Sequence, residues 1–142
     1  MSDSPVGEAI VLCQEIRKDP STGKLSLIGL FDTILVDEFP SIANLTAFIS
    51  VTGSSGAHPI DLFAGEEGSD LVLVTSLTAQ LQGVNLSQRL SLEAKVHLVR
   101  PGSFLIEVRS VGIPILWKYF RVVHGSDKKT DPIIAGIARH GA

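Results

Sequence analysis

The most constraining feature of this sequence is the strict alternation of apolar and polar side chains in RLSLEAKVHLV, residues 89–99. Side chains of a strand point alternately to opposite faces, so a period of two predicts a strand with one buried face and one wet face. The predicted buried phase consists of Leu90, Leu92, Ala94, Val96 and Leu98.

Turn-forming residues separate further apolar, β-branched stretches at short and regular spacing, and no segment shows a helical period of useful length. GSSG (53–56) is predicted to be a hairpin loop, and QGVN follows another strand. The pattern predicts an all-β, antiparallel domain of about eight strands, most simply a two-layer sandwich that is immunoglobulin-like or C2-like, with a barrel as the alternative. The other predicted strands are 8–17, 24–37, 45–53, 58–65, 71–81, 103–111 and 115–124.

The sequence divides into an N-terminal tail (1–7), a β-domain (8–124) and a C-terminal extension without β pattern (125–142). The extension is basic where the body is acidic, and it carries an apolar group of three isoleucines. A loosely ordered terminus and a segment that docks into a groove or onto a sheet edge both remain open. The three residues are Ile133, Ile134 and Ile137.

Three short motifs have predicted structural roles. Gly29 interrupts an apolar run and is predicted to form a bulge that turns Asp32 toward the surface, where it accepts hydrogen bonds from a loop or from Thr33. Phe39 and Pro40 are predicted to end the strand 24–37 that precedes them. A later turn is assigned to Pro101 and Gly102.

The first forty residues resemble a family of small bacterial domains of unknown function, the DUF6941-type family. The likeness covers roughly residues 8–123 and implies a β-sandwich of bacterial origin, without any catalytic residue to carry over. Matching elements are Leu12-Cys13, Gly23-Lys24, Leu27-Ile28-Gly29, Phe31-Asp32 and Phe39-Pro40, together with RPGSFLIEV and FRVV near the end.

Charge and cysteine usage restrict the function classes. The net charge of −3 gives no electrostatic case for binding nucleic acid or an acidic membrane. The single Cys13 excludes an internal disulfide framework, and the first residues carry no secretory signal, so a cytoplasmic protein is expected. No apolar run approaches the length of a membrane span.

No constellation of residues indicates catalysis, a metal or a cofactor. Asp32 lacks an identifiable acid–base partner, and Cys13 lies in an apolar strand where a thiol behaves as a small hydrophobe. Acidic residues gather in DLFAGEEGSD (61–70), but their spacing matches no calcium loop. The four histidines are scattered. We therefore expect no enzyme, no metal and no cofactor.

The aromatic cluster WKYF, residues 117–120, is the main candidate for recognition. Alternation puts Trp117 and Tyr119 on one face and Phe120 on the other. If Trp117 points inward it anchors the core; if it points outward, Trp117 and Tyr119 form a patch suited to a partner or a carbohydrate, flanked by Lys118 and Arg121.

These observations lead to three hypotheses. The first is a non-enzymatic protein-interaction module, an accessory or structural subunit of a bacterial assembly that docks through an edge strand, strand 115–124 and the C-terminal tail, with a protein partner or a second copy. The second is a domain that binds a small ligand or carbohydrate beside Trp117. The third is an enzyme of unknown type centred on Asp32 or Cys13.

Overall fold

A computed structural model describes residues 4–125, and strands account for 77% of the described residues, with no helix. Eight strands follow one another between residues 4 and 125. They are β1 (Val6–Cys13), β2 (Glu15–Lys18), β3 (Leu25–Ile28), β4 (Thr33–Val36), β5 (Ser41–Glu66), β6 (Val72–Leu98), β7 (Gly102–Ser110) and β8 (Ile113–His124). The all-β prediction is confirmed.

Six of the strands form one curled sheet shaped like half a barrel. Its order is β1-β5-β7-β8-β4, and β6 pairs with β5; β2 and β3 form a separate two-stranded arm. The two-layer sandwich predicted from the sequence is not confirmed by this topology. The expectation of purely antiparallel pairing is wrong at one edge, where β4 runs parallel to β8. Parallel strands need a long connection, and the path through β5, β6 and β7 supplies it.

The two longest strands bend instead of turning back. β5 and β6 pair along almost their whole length, with register shifts where Gly53 lies opposite Gly83. Glycine weakens a strand and allows a bend, so these positions let the sheet curl while the ladder continues. The predicted hairpin loop GSSG is therefore wrong, and QGVN likewise lies inside β6: each pair of predicted strands is one bent strand.

Two predicted strands break where the chain leaves the main sheet. The predicted strand 8–17 is divided into β1 and β2 at Gln14, whose N–H donates to the carbonyls of Ile28 (3.0 Å) and Gly29 (3.2 Å). Gly29 has φ +71°, and a Cβ there would meet the Gln14 side chain at 2.6 Å. Gly29 thus ends β3 in a glycine-specific conformation, rather than forming a bulge in a continuous strand.

The residues given structural roles lie as follows. Asp32 is exposed and accepts a hydrogen bond from the Thr33 hydroxyl at 3.2 Å. Phe39 packs against the core with its ring centroid 6.3 Å from that of His124, and its bond to Pro40 is cis. Pro101 is exposed in the turn before β7, and Gly102 opens that strand with φ +152°.

One apolar core lies along the curled sheet. The alternation in residues 89–99 is confirmed: Leu92, Ala94, Val96 and Leu98 are buried and Leu90 is partly buried. The largest buried side chains include Phe104 on β7 and Phe120 on β8, opposite each other in register with ring centroids 5.6 Å apart. Burying a side chain of this size stabilises the fold by roughly 1.5–3 kcal/mol.

The boundaries differ slightly from those predicted. β1 begins at Val6, two residues before the predicted domain start at residue 8. The predicted docking residues Ile133, Ile134 and Ile137 lie outside the described residues.

Candidate functional site

Strand β8 presents Trp117 and Tyr119 to solvent. Trp117 is 58% exposed and Tyr119 48% exposed, whereas the neighbouring Phe120 is 1% exposed and points into the core. The inward alternative for Trp117 is therefore wrong, and the outward one holds. Single exposed apolar side chains are common, but aromatic side chains exposed together on one face mark a candidate contact surface.

Trp117 stands at the end of a row that crosses four strands. Leu73 on β6 pairs with Phe63 on β5, Phe63 pairs with Glu107 on β7, and Glu107 pairs with Trp117. Side chains of paired residues project to the same side of a sheet, so all four lie on the outer surface. In a neighbouring row, Leu105 pairs with Tyr119.

We call this outer surface the aromatic face and define it by Phe63, Leu73, Leu105, Trp117 and Tyr119. Leu73 is 52% exposed, while Phe63 and Leu105 are half-buried. The face is carried by regular paired strands, so its side chains are held by the sheet rather than by a mobile loop.

An ion pair is held in the middle of the aromatic face. Arg109 donates to Glu107 at 2.7–2.8 Å, and its guanidinium lies 3.9 Å above the centre of the Phe63 ring. Both charged side chains are mostly buried, at 27% and 17% exposure. An arginine stacked on an aromatic ring and paired with a carboxylate has little freedom, so the pair makes the face rigid.

Arg121 and Lys118, the other two residues of β8 predicted to bind a partner, lie on opposite faces of the strand. Arg121 is exposed and follows Trp117 and Tyr119 in the same outward phase, and its backbone N–H donates to the Asp32 carbonyl at 2.8 Å. Lys118 is half-buried in the opposite phase and lines a small cleft with Phe31 and Asp32. Lys118 is therefore not part of the aromatic face.

Sequence reasoning missed Phe63, Leu73 and Leu105. A signal existed for two of them. Phe63 and Leu105 are apolar residues in the polar phase of their strands, where Asp61 and Arg109 also stand. An apolar side chain in that phase indicates a wet face that carries an apolar patch.

A second feature is a cleft of about 530 Å³ at the bend of β5. His58 is buried there and its Nε2 lies 2.7 Å from the Ser54 carbonyl oxygen, so Nε2 carries a proton that it donates. Ser110 lines the same cleft at 1% exposure, and its hydroxyl has no hydrogen-bond partner among the described residues. A buried unpaired hydroxyl is unfavourable unless a ligand or water satisfies it.

A larger groove of about 750 Å³ lies between the β2–β3 arm and the strands β5 and β6. Its polar lining alternates in charge, with Glu15 and Lys18 from the arm and Glu93 and Lys95 from β6. Trp117 lines neither this groove nor the cleft at His58. The pocket beside Trp117 expected for a ligand-binding domain is thus not one of these two.

A family model matches residues 8–122 of this sequence. The chain belongs to the DUF6941 family, a family of unknown function. Its membership was expected from the motifs Leu12-Cys13, Gly23-Lys24 and Phe31-Asp32. No curated protein matches the sequence significantly.

Solved structures show only distant similarity to this DUF6941 chain. A β-glucosidase from Erythrobacter marinus matches 85% of the chain with a TM-score of 0.56 and 12% identity, which shows a likeness of fold alone. Two further matches have TM-scores of 0.43 and 0.44: a β-glucosidase from Kluyveromyces marxianus (11% identity, 60% of this chain) and the alkylpurine DNA glycosylase AlkC from Pseudomonas fluorescens (9%, 80%). The chain spans 16%, 15% and 30% of these proteins' lengths, in the order given.

Two acidic residues of the segment DLFAGEEGSD in the DUF6941 chain are bonded to other side chains. Asp61 accepts a hydrogen bond from Ser76 at 2.7 Å, and Glu66 pairs with Arg100 at 2.9 Å. Among residues 4–125, no three histidine, cysteine, aspartate or glutamate side chains converge on one point. No helix within the same residues is long and apolar enough to cross a membrane.

The thiol of the DUF6941 chain is predicted to be unreactive in the folded protein. Cys13 is fully buried, and desolvation raises the pKa of its thiol. Because the folded state holds the neutral thiol, this contribution to stability is complete below the unfolded pKa of about 8.5 and is lost as pH rises through the higher folded value. We expect slow labelling by a thiol reagent near neutral pH, becoming stoichiometric in denaturant; rapid labelling of the native protein would contradict this burial.

Proposed function

We propose that this DUF6941 protein is a non-enzymatic protein-interaction module, an accessory or structural subunit of a larger bacterial assembly. The aromatic face carries the proposal: Trp117 and Tyr119 stand exposed on a regular sheet that also presents Phe63, Leu73 and Leu105 on the same surface. Tryptophan, tyrosine and arginine are the residues enriched at binding hot spots, and large apolar side chains that stand exposed together on one face are typical of a protein contact.

The partner in this proposal presents an apolar ridge to Trp117 and Tyr119. The rigidity of the Arg109–Glu107 pair on Phe63 supports it, since an ordered surface loses little conformational entropy on binding. Half-buried Phe63 and Leu105 would form the floor of the contact. The C-terminal extension, with Ile133, Ile134 and Ile137, is a second docking element in the proposal.

The proposal also covers the packing of the sheet and the compartment of the protein. We infer that the two halves of the curled sheet pack as an immunoglobulin-like or C2-like sandwich, because the core draws buried residues from both halves of β5 and of β6. We assign the protein to the cytoplasm, which fits a single, buried and unpaired cysteine.

Site-specific photo-crosslinking tests the proposal. A photo-reactive phenylalanine analogue replaces Tyr119 in one variant and Thr22, exposed in the turn between β2 and β3, in the control. We expect one defined protein adduct from position 119 in the native cell and none of that adduct from position 22. The same adducts from both positions, or no adduct from either, would contradict the aromatic face as a docking surface.

A small-ligand domain is the second candidate function. The observation that favours it is the unpaired Ser110 hydroxyl in the cleft beside His58. The described residues that line this cleft include no Asp, Glu, Lys or Arg, and the Ser110 hydroxyl can bond another hydroxyl, so the ligand class is a neutral hydroxylated compound. Thermal-shift measurements with such compounds should raise the Tm of the wild type and leave the Ser110→Ala variant unchanged; an equal rise in both would exclude this cleft.

An enzyme centred on Asp32 or Cys13 has the least support. Asp32 is exposed with a hydroxyl as its side-chain partner, and Cys13 is sealed in the sheet. General acid–base or nucleophilic catalysis needs a second group within hydrogen-bond reach of the first. Lys118 is the titratable residue that shares its cleft, and it forms no ion pair with Asp32; the other lining residues are Ile10, Val11, Leu12, Leu30 and Phe31.

A further inference from the structure

We propose that two copies of this chain associate through strand β6, pairing antiparallel along its free edge about a two-fold axis at Ala94. The proposal goes beyond the aromatic face, which it does not require. It concerns residues 88–98 of β6, nearly all of which belong to the alternating segment 89–99.

The first observation is the open edge. Among residues 4–125, β6 pairs with β5 and with no other strand. Between Gln88 and Leu98 the register with β5 is continuous, and the segment contains no proline or glycine. Its outer backbone groups therefore form a straight, regular template of the kind that accepts another strand.

The second observation is that the two charges at the centre of this segment form no ion pair with another residue of the range 4–125. Glu93 and Lys95 are both exposed. Their neighbours across the β5 ladder are the uncharged Thr46 and Asn44. The described ion pairs join Arg17 with Glu15, Arg100 with Glu66 and Arg109 with Glu107, so neither central charge takes part in one of them.

The third observation is that the charge pattern complements itself. Pairing about Ala94 sets Glu93 opposite the second copy's Lys95, and by symmetry sets Lys95 opposite the second copy's Glu93. Directly opposed side chains in an antiparallel pair have Cβ atoms about 4.5–5.5 Å apart, close enough for both ion pairs. On the other surface, Leu92 meets Val96 of the second copy, and the apolar surface of one sheet continues into the next.

The same pattern rejects the neighbouring registers. An axis at Glu93 would oppose two glutamates, and an axis at Lys95 would oppose two lysines, which is unfavourable in either case. An axis between residues would place inward side chains opposite outward ones and break the continuity of the buried face. Ala94 is thus the centre that both charges and faces favour.

The surroundings of the edge support a second copy as the occupant. Ser91, Glu93 and Lys95 line the groove of about 750 Å³ beneath the β2–β3 arm, so their outward side chains are not covered. A foreign strand would need the matching alternation of charges, whereas a second copy supplies it automatically. A two-fold contact of this kind is closed and stops at the dimer.

Charge reversal tests the proposal with the full chain. Sedimentation equilibrium over a range of concentrations is measured for the wild type, Glu93→Lys, Lys95→Glu and the double variant that carries both. Each single reversal creates two like-charge pairs across the axis, and we expect it to weaken dimerisation by about tenfold or more. The double variant restores both ion pairs, and we expect it to dimerise within roughly threefold of the wild type.

Controls separate this contact from general charge effects and from the aromatic face. Glu67→Lys, an exposed glutamate outside β6, changes the net charge by the same amount and should leave dimerisation unchanged. Trp117→Ala should dimerise as the wild type does, so loss of a partner adduct and loss of the dimer are distinguishable. A wild type that stays monomeric, or single reversals without effect, or a double variant that is not restored, would each overturn the proposal.

Discussion

Replacing Phe120 with alanine is expected to lower the free energy of unfolding by about 3–5 kcal/mol. Phe120 is 1% exposed and its ring is 5.6 Å from that of Phe104 on the neighbouring strand. The substitution removes a large buried side chain and leaves a cavity in the core, on the inner face of β7 and β8. The surrounding strands relax only partly to fill it. A loss of this size is a large share of the stability of an ordinary domain.

Tyr119→Ala is the matched control for this prediction. Tyr119 is adjacent in the same strand and also aromatic, but it is 48% exposed and lies opposite Leu105 on the outer surface. We expect it to change the free energy of unfolding by less than about 1 kcal/mol. Denaturant unfolding of both variants measures the difference; equal losses would mean that the phase of β8 described above is wrong.

Replacing Trp117 with alanine is expected to weaken partner binding by about thirtyfold or more, because central aromatic anchors contribute about 2 kcal/mol or more each. The fold should be almost unaffected, since Trp117 is 58% exposed. The measurement is the yield of the adduct formed from position 119, compared with and without the substitution, alongside denaturant unfolding of each protein.

Val84→Ala is the control for Trp117→Ala. Val84 is also an exposed apolar residue, at 68%, but lies near the bend of β6, away from Trp117 in the register of the sheet. It should leave the adduct yield unchanged. Equal yields from the wild type and the Trp117→Ala protein would remove Trp117 from the contact.

Local pattern was sufficient to predict part of the fold. The alternation around Leu92 and Val96 predicted a half-buried strand correctly, because its polar and apolar phases leave no doubt about which side faces water. Gly29 was correctly singled out as a place where a strand is interrupted. Its left-handed conformation, however, depends on the approach of Gln14, which is a contact between separate segments.

The bend at Gly53 could not be predicted from local pattern. Glycine and serine favour a turn, and nothing within GSSG tells whether the chain reverses or only bends. The answer depends on pairing with Gly83, thirty residues away, which continues the ladder through the bend. Two long bent strands thus have the same local sequence pattern as four short ones.

The candidate site could be predicted only in part, because it also depends on the pairing of distant strands. A period of two separates Trp117 and Tyr119 from Phe120, but it does not say which set is buried. Register decides it: Phe120 lies opposite Phe104, in the buried phase of β7, and Trp117 lies opposite Glu107 in the other phase. Phe63 and Leu73 join the face only through pairing across three further strands.

The most direct test of the account is hydroxyl-radical footprinting of Trp117, the single tryptophan of the chain, in the purified protein and in intact cells. Oxidation is read by mass spectrometry and normalised to Leu30, which is exposed in the loop between β3 and β4. We expect rapid oxidation of Trp117 in the purified protein and strong protection in the cell, where a partner covers the aromatic face. Equal oxidation of Trp117 in both settings would contradict it.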